Sequence, residues 1–208
     1  MTKVFIGVCN SQQSVPSAFF WSMWDINRAG YAVIINRASH PWDVVRNNQL
    51  INAFLKSDCD VFVKMDIDQK YPVGYLDAMV PLVEKYKVVG PLIYDRWKQN
   101  GFMPLLFNSI ENGRLEKWHG DMKGIQQVPY SHTNLFYARE ALESVPKPWY
   151  EAHLTDDGLG RANHVDFTFL DKLKNSGYQI YTNMDVVVQH IAEIGVDREF
   201  YDRWHGKG

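Results

Sequence analysis

Through the first 93 residues, short apolar runs rich in β-branched side chains alternate with amphipathic stretches. That alternation predicts strands and helices in βαβ succession. Val4 to Cys9 reads as the first strand. Pro16 is placed to open a helix carrying Phe19, Phe20, Met23, Trp24 and Ile26, and Gly30 to close it. Tyr31 to Asn36 reads as the second strand, and Val44 to Lys56 as a helix with Val44, Val45, Ile51, Phe54 and Leu55 inward. Asp60 to Met65 is apolar enough for a central strand. Pro72 is suited to begin a third helix ending near Lys85, and Val88 to Ile93 reads as the next strand.

The second half is less periodic. Tyr94 to Pro129 is rich in Gly, Asn, Trp and Lys, with an Asn112-Gly113 turn between Leu106-Phe107 and Leu115 to Lys117, and reads as an inserted hairpin with loops. Leu135 to Tyr137 predicts a short strand and Arg139 to Ser144 a short helix, stopped by Pro146 and Pro148. Asp166 to Asn175 predicts a helix with Phe167, Leu170 and Leu173 inward, closed by Gly177. Tyr178 to Tyr181 and Val186 to Val188 read as two further strands, the second running into Gln189-His190. With no repeat, low-complexity segment or linker-like shift in composition, the expectation is one α/β domain over residues 1–208.

Composition narrows the class of protein. Of 208 residues, 46% are hydrophobic and 22% charged, which excludes a disordered chain. Aromatic residues make up 14%, a share whose first use is core packing. A formal charge of -2 and a pI near 6.4 give no broad electrostatic reason to bind nucleic acid or anionic membrane. Cys9 and Cys59 are too few for a disulfide framework and read as free thiols of a reducing compartment. No run is long enough to span a bilayer and no leader pattern stands at the start, so the expectation is a cytoplasmic protein without a transmembrane segment.

The most informative stretch is Asp60-Val-Phe-Val-Lys-Met-Asp66-Ile67-Asp68, followed by Tyr71-Pro72. In extended backbone, residues two apart share a side, so Asp66 and Asp68 can address one ligand while Ile67 turns away. The pair stands at the carboxyl end of an apolar strand, where open α/β sheets place their ligands. Two carboxylates in one small space repel unless a cation joins them or one is protonated. A hard divalent ion, Mg²⁺ or Mn²⁺, bridging to a diphosphate would resolve that conflict. The plainer reading is a strand-to-helix turn in which one Asp caps the following helix.

With Arg46-Asn47 and Phe54-Leu55 upstream and Tyr75-Leu76 downstream, this stretch resembles the donor-binding half of family-2-like glycosyltransferases of the GT-A fold. Asp166 to Gly177-Tyr-Gln-Ile-Tyr181, followed by Val186-Val-Val-Gln-His190, is similar to the closing motif of that family. The resemblance implies a Rossmann-like mixed sheet flanked by helices. Residues 1–93 would form the nucleotide-sugar half, 94–190 the acceptor and catalytic half, and 191–208 a tail. It implies a metal held by Asp66, Asp68 and His190, and donor contacts from Asp66, Ile67, Asp68, Arg46 and Asn47. Imidazole beside two carboxylates suits Mn²⁺ better than Ca²⁺. The donor would be a UDP- or GDP-sugar. Cys9 and Asn10 after the first strand, and Asn36 at the end of the second, lie on the edge where a nucleoside would rest, although ordinary turn chemistry explains Asn equally well.

Inverting transfer needs a base for the acceptor hydroxyl. The family's Glu-Asp pair is absent; the corresponding positions read Asn163-His164. Three readings stay open: Asp166 as the base, Asp156 or Asp157 on a Gly-flanked loop, or His164. Asp166 is the first choice, and a retaining mechanism is the alternative in which no external base is needed. The acceptor, whether glycan, lipid or small molecule, would meet the insert, the segment Pro129 to Asn134, and Trp97, Trp118 or Trp149, each of which could instead pack inward. The tail from Val196 to Lys207 carries cations and could close over a diphosphate. Asp-x-Asp also opens dehalogenase-type phosphatases, but their pair follows the first strand. A nucleotidyltransferase would need a Gly-rich basic loop that Asn10 to Ser14 lacks. A non-catalytic nucleotide-sugar-binding module, or a transferase acting on modified nucleic acid, are the other functional readings.

Overall fold

The computed structural model describes residues 1–10, 14–96, 103–111, 114–155, 157 and 162–191. Trp97, Asp156, the Asn112-Gly113 turn and the tail beyond residue 191 lie outside them. In chain order the elements are β1 (Thr2–Cys9), α1 (Ser17–Asp25), β2 (Tyr31–Ala38), α2 (Asp43–Lys56), β3 (Val61–Asp66), β4 (Gln69–Lys70), α3 (Tyr75–Tyr86) and β5 (Val88–Ile93). The second half supplies β6 (Leu106–Glu111), β7 (Arg114–Lys117), β8 (Ile125–Gln127), β9 (Tyr130–Ser131), β10 (Phe136–Ala138), α4 (Arg139–Ser144), α5 (Val165–Asn175) and β11 (Tyr181–His190).

The central sheet runs β2-β1-β3-β10-β5-β11-β4, with β8 paired to β11. β1 is parallel to β2 and β3, β11 is parallel to β5, and β10 enters antiparallel between β3 and β5. The hairpin expected in the insert is present as β6 and β7, and β9 completes a second, three-stranded sheet.

Period-two alternation in β1 and β3 divides the core between the two faces of the sheet. Val4, Ile6 and Val8, with Val61, Val63 and Met65, pack on one face with Phe19 of α1 and Leu76, Met79 and Val83 of α3. Phe5 and Phe62 pack on the other with Phe54 of α2, Leu142 of α4 and Leu170 of α5. Phe54 and Phe62 meet with ring centroids 5.5 Å apart. The mixed α/β fold with helices on both faces is the GT-A-like class that the resemblance implied.

Several features differ from the sequence reading, among them the end of α1, which closes at Asp25 and not at Gly30. Pro72 does not begin α3: Tyr75 N–H donates to Pro72 O at 3.1 Å, so the proline heads a turn and the helix starts at Tyr75. Of the two strands expected, at 178–181 and 186–188, one forms: residues 178–180 lie outside any strand, while β11 starts at Tyr181 and takes in the second. Its register on β5 shifts between Asn183 and Val187, next to Pro91, which has no N–H to give the ladder. In α1, Phe19 and Met23 face the core while Phe20 and Trp24 face solvent, Trp24 being 71% exposed.

Candidate functional site

Because β1, β3, β5 and β11 point the same way, their carboxyl ends meet at one edge of the sheet. A cavity of about 470 Å³ opens there, lined among others by Cys9, Arg46, Lys64, Asp66, Asp68, Arg96, His132 and His190. The volume is within the range of small-molecule sites.

Local structure fixes the aspartates. β3 ends at Asp66, Ile67 and Asp68 form a turn, and Gln69 starts β4. Ile67 is buried in the core, but it sits in a turn rather than in extended backbone and borders the cavity together with Asp66 and Asp68. β4 pairs with the end of β11, His190 lying opposite Gln69, and Ile191 N–H donates to Asp68 O at 2.7 Å. These backbone bonds bring His190 Nε2 to 3.5 Å from Asp68 Oδ2, while its Nδ1 lies 3.1 Å from Tyr94 O. Arg96 Nη1 donates to the same Asp68 oxygen at 2.8 Å. Beneath the turn, Tyr71 Oη accepts from Asp66 N–H at 3.0 Å and from Asn134 Nδ2 at 2.5 Å, in a network that includes Gln69. Tyr71→Phe removes that acceptor and leaves a buried amide without its partner. We expect a loss of about 1–3 kcal/mol in denaturant unfolding.

Lys64 follows the pattern of its strand. It shares a face with Phe62 and Asp66, and this buries its ammonium between two carboxylates. Nζ is 3.6 Å from Asp66 Oδ2 and 3.5 Å from Asp166 Oδ1, with the lysine side chain only 12% exposed. Burial opposes its charge, but Asp166 and Asp66 hold the ammonium well above its ordinary pKa.

Asp166, in the first turn of α5, is the hub of a second cluster. Its Oδ2 is 2.8 Å from His132 Nε2 and 3.2 Å from His164 Nδ1. Burial pushes the carboxyl upward, but Lys64 and the two imidazoles outweigh it and hold Asp166 well below the usual range. Asp66 moves the opposite way: burial raises it, and Asp68 and Asp166 add to the rise against the pull of Lys64. For Asp68, burial is outweighed by His190 and Arg96, and its carboxyl is lowered.

These directions have opposite linkage signs. Asp166, with a folded pKa below its unfolded value of about 4, contributes stability that is complete above about pH 4. That stability is lost as pH falls through the folded value. Asp66, raised in the fold, favours folding when protonated, and this contribution disappears as pH rises from about 4 through its folded value. At neutral pH, Asp66→Asn should therefore melt above the parent protein and Asp166→Asn below it. Thermal melts of the three proteins at pH 7.5 check both signs.

Among the described residues, one group of three ligand-type side chains has its donor atoms within 4.8 Å of one another: His132, His164 and Asp166. This cluster could hold a metal ion. Asp66, Asp68 and His190 share the cavity without forming such a group, although Asp68 and His190 are adjacent.

The remaining sequence candidates are distributed as follows. Arg46 lines the cavity and its Nη1 donates to His40 O and Pro41 O. Asn47 is buried behind it and accepts from Cys9 Sγ at 3.1 Å. Burial, with the nearby Asp66 charge, pushes the Cys9 thiol up to about 12. Asn10 is buried, and its N–H donates to Ala38 O. Asn36 does not end β2: the ladder continues through Arg37 and Ala38, leaving Asn36 exposed opposite Gly7 and outside the cavity lining. Asp157 is exposed and accepts from Thr155 Oγ1. Trp149 is a core residue whose Nε1–H donates to Leu142 O, and Trp118 is half-buried against the same core. Lys64 and Arg96 are additions, and His132, within the Pro129 to Asn134 segment expected to meet the acceptor, lines the cavity.

Fold and site edge together define a GT-A-like mixed α/β protein with a polar, charged cavity at the carboxyl ends of its strands. The crystal structure of A197 from STIV superposes with a TM-score of 0.60, covering 95% of this chain and 100% of that one at 16% identity. At that identity the likeness extends to the fold alone. No protein-family model matches the sequence, and no curated protein does. Among the described residues, no helix is long and apolar enough to cross a membrane.

Proposed function

We propose that the protein is a metal-dependent glycosyltransferase that moves a sugar from a nucleotide-diphospho-sugar to an acceptor hydroxyl. The observation that carries this reading is that Asp66 and Asp68, at the end of β3 and in the turn after it, and His190, at the end of the sequence-distant β11, line one cavity of a GT-A-like fold. Two carboxylates and an imidazole are ligand types that suit a hard or borderline divalent ion, although their donor atoms are not gathered within 4.8 Å of one another as those of His132, His164 and Asp166 are. Asp68 and His190 are adjacent, and the burial-raised Asp66 is a carboxyl that a nearby cation would ionise. In this reading Asp66, Asp68 and His190 would hold Mn²⁺ or Mg²⁺, whose charge would favour departure of a diphosphate.

The chain's own groups do the rest. Arg96, paired with Asp68, and Arg46, from the first turns of α2, both line the cavity and would offer positive charge to a diphosphate bound there. Lys64 holds Asp66 and Asp166 in place and lends positive charge to the cavity floor. The apolar layers beneath exclude water from that floor.

The test is a thermal-shift series with UDP-glucose, UDP-N-acetylglucosamine and GDP-mannose, each with and without Mn²⁺. A donor at 100 times its Kd stabilises by about 2.7 kcal/mol. We expect one nucleotide class to shift the melt only when Mn²⁺ is present, with slow release of nucleoside diphosphate. Metal-dependent binding without release or transfer would favour the non-catalytic module. No shift with any donor would end the transferase reading.

A further inference from the structure

We propose that His132 is the proton acceptor for the attacking hydroxyl, with Asp166 acting as its positioning residue. The inference rests on the transferase reading above and assigns a role that sequence alone gave to Asp166, Asp157 or His164.

Asp166 is poorly placed to take a proton from a substrate. Its side chain is 12% exposed, Oδ1 faces Lys64, Oδ2 faces two imidazoles, and it does not border the cavity. A carboxylate so well solvated by its own protein is a fixed negative charge rather than a base. His132 has the complementary properties. It lines the cavity with Asp66 and Lys64, its side chain is 36% exposed, and its backbone is anchored by N–H donation to Leu105 O at 2.9 Å. The 2.8 Å contact from Nε2 to Asp166 Oδ2 selects the Nε2–H tautomer and leaves the Nδ1 lone pair for another partner. The ring packs against His164, at a centroid distance of 4.3 Å, and Phe167, at 5.7 Å, in a three-ring cluster. Buried carboxylate, imidazole and open cavity thus follow in the order that general-base catalysis uses elsewhere.

The step balances without further reagents. The acceptor O–H bond breaks and its proton passes to His132 Nδ1, while the oxygen electron pair forms the new bond to the anomeric carbon. The bond from that carbon to the diphosphate oxygen breaks, and its electron pair leaves with the nucleoside diphosphate. The imidazolium so formed faces the Asp166 carboxylate. His164 Nδ1 accepts from Asp166 N–H at 3.4 Å and lies 3.2 Å from the same carboxylate oxygen, and His164 does not border the cavity, so its role is to fix Asp166.

Donor hydrolysis, with water as the acceptor, tests the proposal using whichever of the three donors shifts the melt with Mn²⁺. His132→Ala should lower nucleoside diphosphate release by about 10²–10⁴-fold while keeping the Mn²⁺-dependent thermal shift. Added imidazole should restore part of the rate. Asp166→Asn should be slow, and the double variant no slower than His132→Ala, as expected for residues acting as one unit. Unchanged turnover in His132→Ala would overturn the proposal. So would loss of the donor shift together with turnover, or stoichiometric Zn²⁺ binding that requires His132 and His164. Should His132→Ala fail to fold, His132→Gln and imidazole rescue are read in its place. Failure of the parent protein to bind any donor would instead remove the transferase reading itself.

Discussion

Asp68→Asn is expected to abolish the Mn²⁺-dependent stabilisation by nucleotide-sugar and to reduce turnover by about 10²-fold or more. The fold itself should barely change. Asp68 lies in a turn at the cavity, 35% exposed, and its structural partners are Arg96 and His190. Asn keeps an oxygen for the arginine, so the melting temperature without ligand should stay within about 2–4 °C of the parent value. What Asn lacks is the negative charge that pulls a divalent ion into a site already containing Lys64 and Arg96. His190→Ala should act in the same direction. Calorimetric titration of Mn²⁺ in the presence of donor, with melts of the apo proteins, separates lost binding from lost folding. Full Mn²⁺-dependent donor binding in Asp68→Asn would refute the metal assignment.

Lys64→Met should produce the largest loss of stability. The ammonium lies 3.6 Å from Asp66 and 3.5 Å from Asp166 in the layer between sheet and α5, and removing it strands both carboxylates. Deleting one partner of a buried charge pair costs about 3–5 kcal/mol. For a chain of this size that lowers the melting temperature by roughly 6–20 °C. The sign of the pH response is fixed by what remains. Asp66, already raised in the fold, loses the ammonium that pulls it down, while Asp166 keeps its two imidazoles, so Lys64→Met should regain part of its lost stability as pH falls below neutrality and Asp66 takes up a proton. Melts of the two proteins below pH 7 should converge toward acid. A constant gap would place the loss in packing rather than charge.

The apolar runs Val4 to Cys9 and Asp60 to Met65, and the helical pattern of Val44 to Lys56, made buried strands flanked by helices legible in the sequence. These signals are local: a side chain two residues along a strand, or three to four along a helix, shares a face whatever the rest of the chain does. For the same reason Asp66 and Asp68 could be placed at the carboxyl end of a buried strand. Lys64 was legible in principle, since a lone cation in an apolar central strand needs carboxylates on its own face. The insertion of β10 antiparallel between β3 and β5 was not legible, because strand order depends on which edges meet and not on periodicity.

The sequence by itself therefore determined the layer structure, the Asp-x-Asp turn at the edge of the sheet, and the charged but nearly neutral composition. Only tertiary structure decided that His190 comes to Asp68 through the β4–β11 pairing, and that His132, Asp166 and Lys64 form one chain of contacts. The physical reason is distance along the chain. Those partners lie on separate elements, and what joins them is backbone pairing and burial between those elements, which no local pattern of apolar and polar residues encodes.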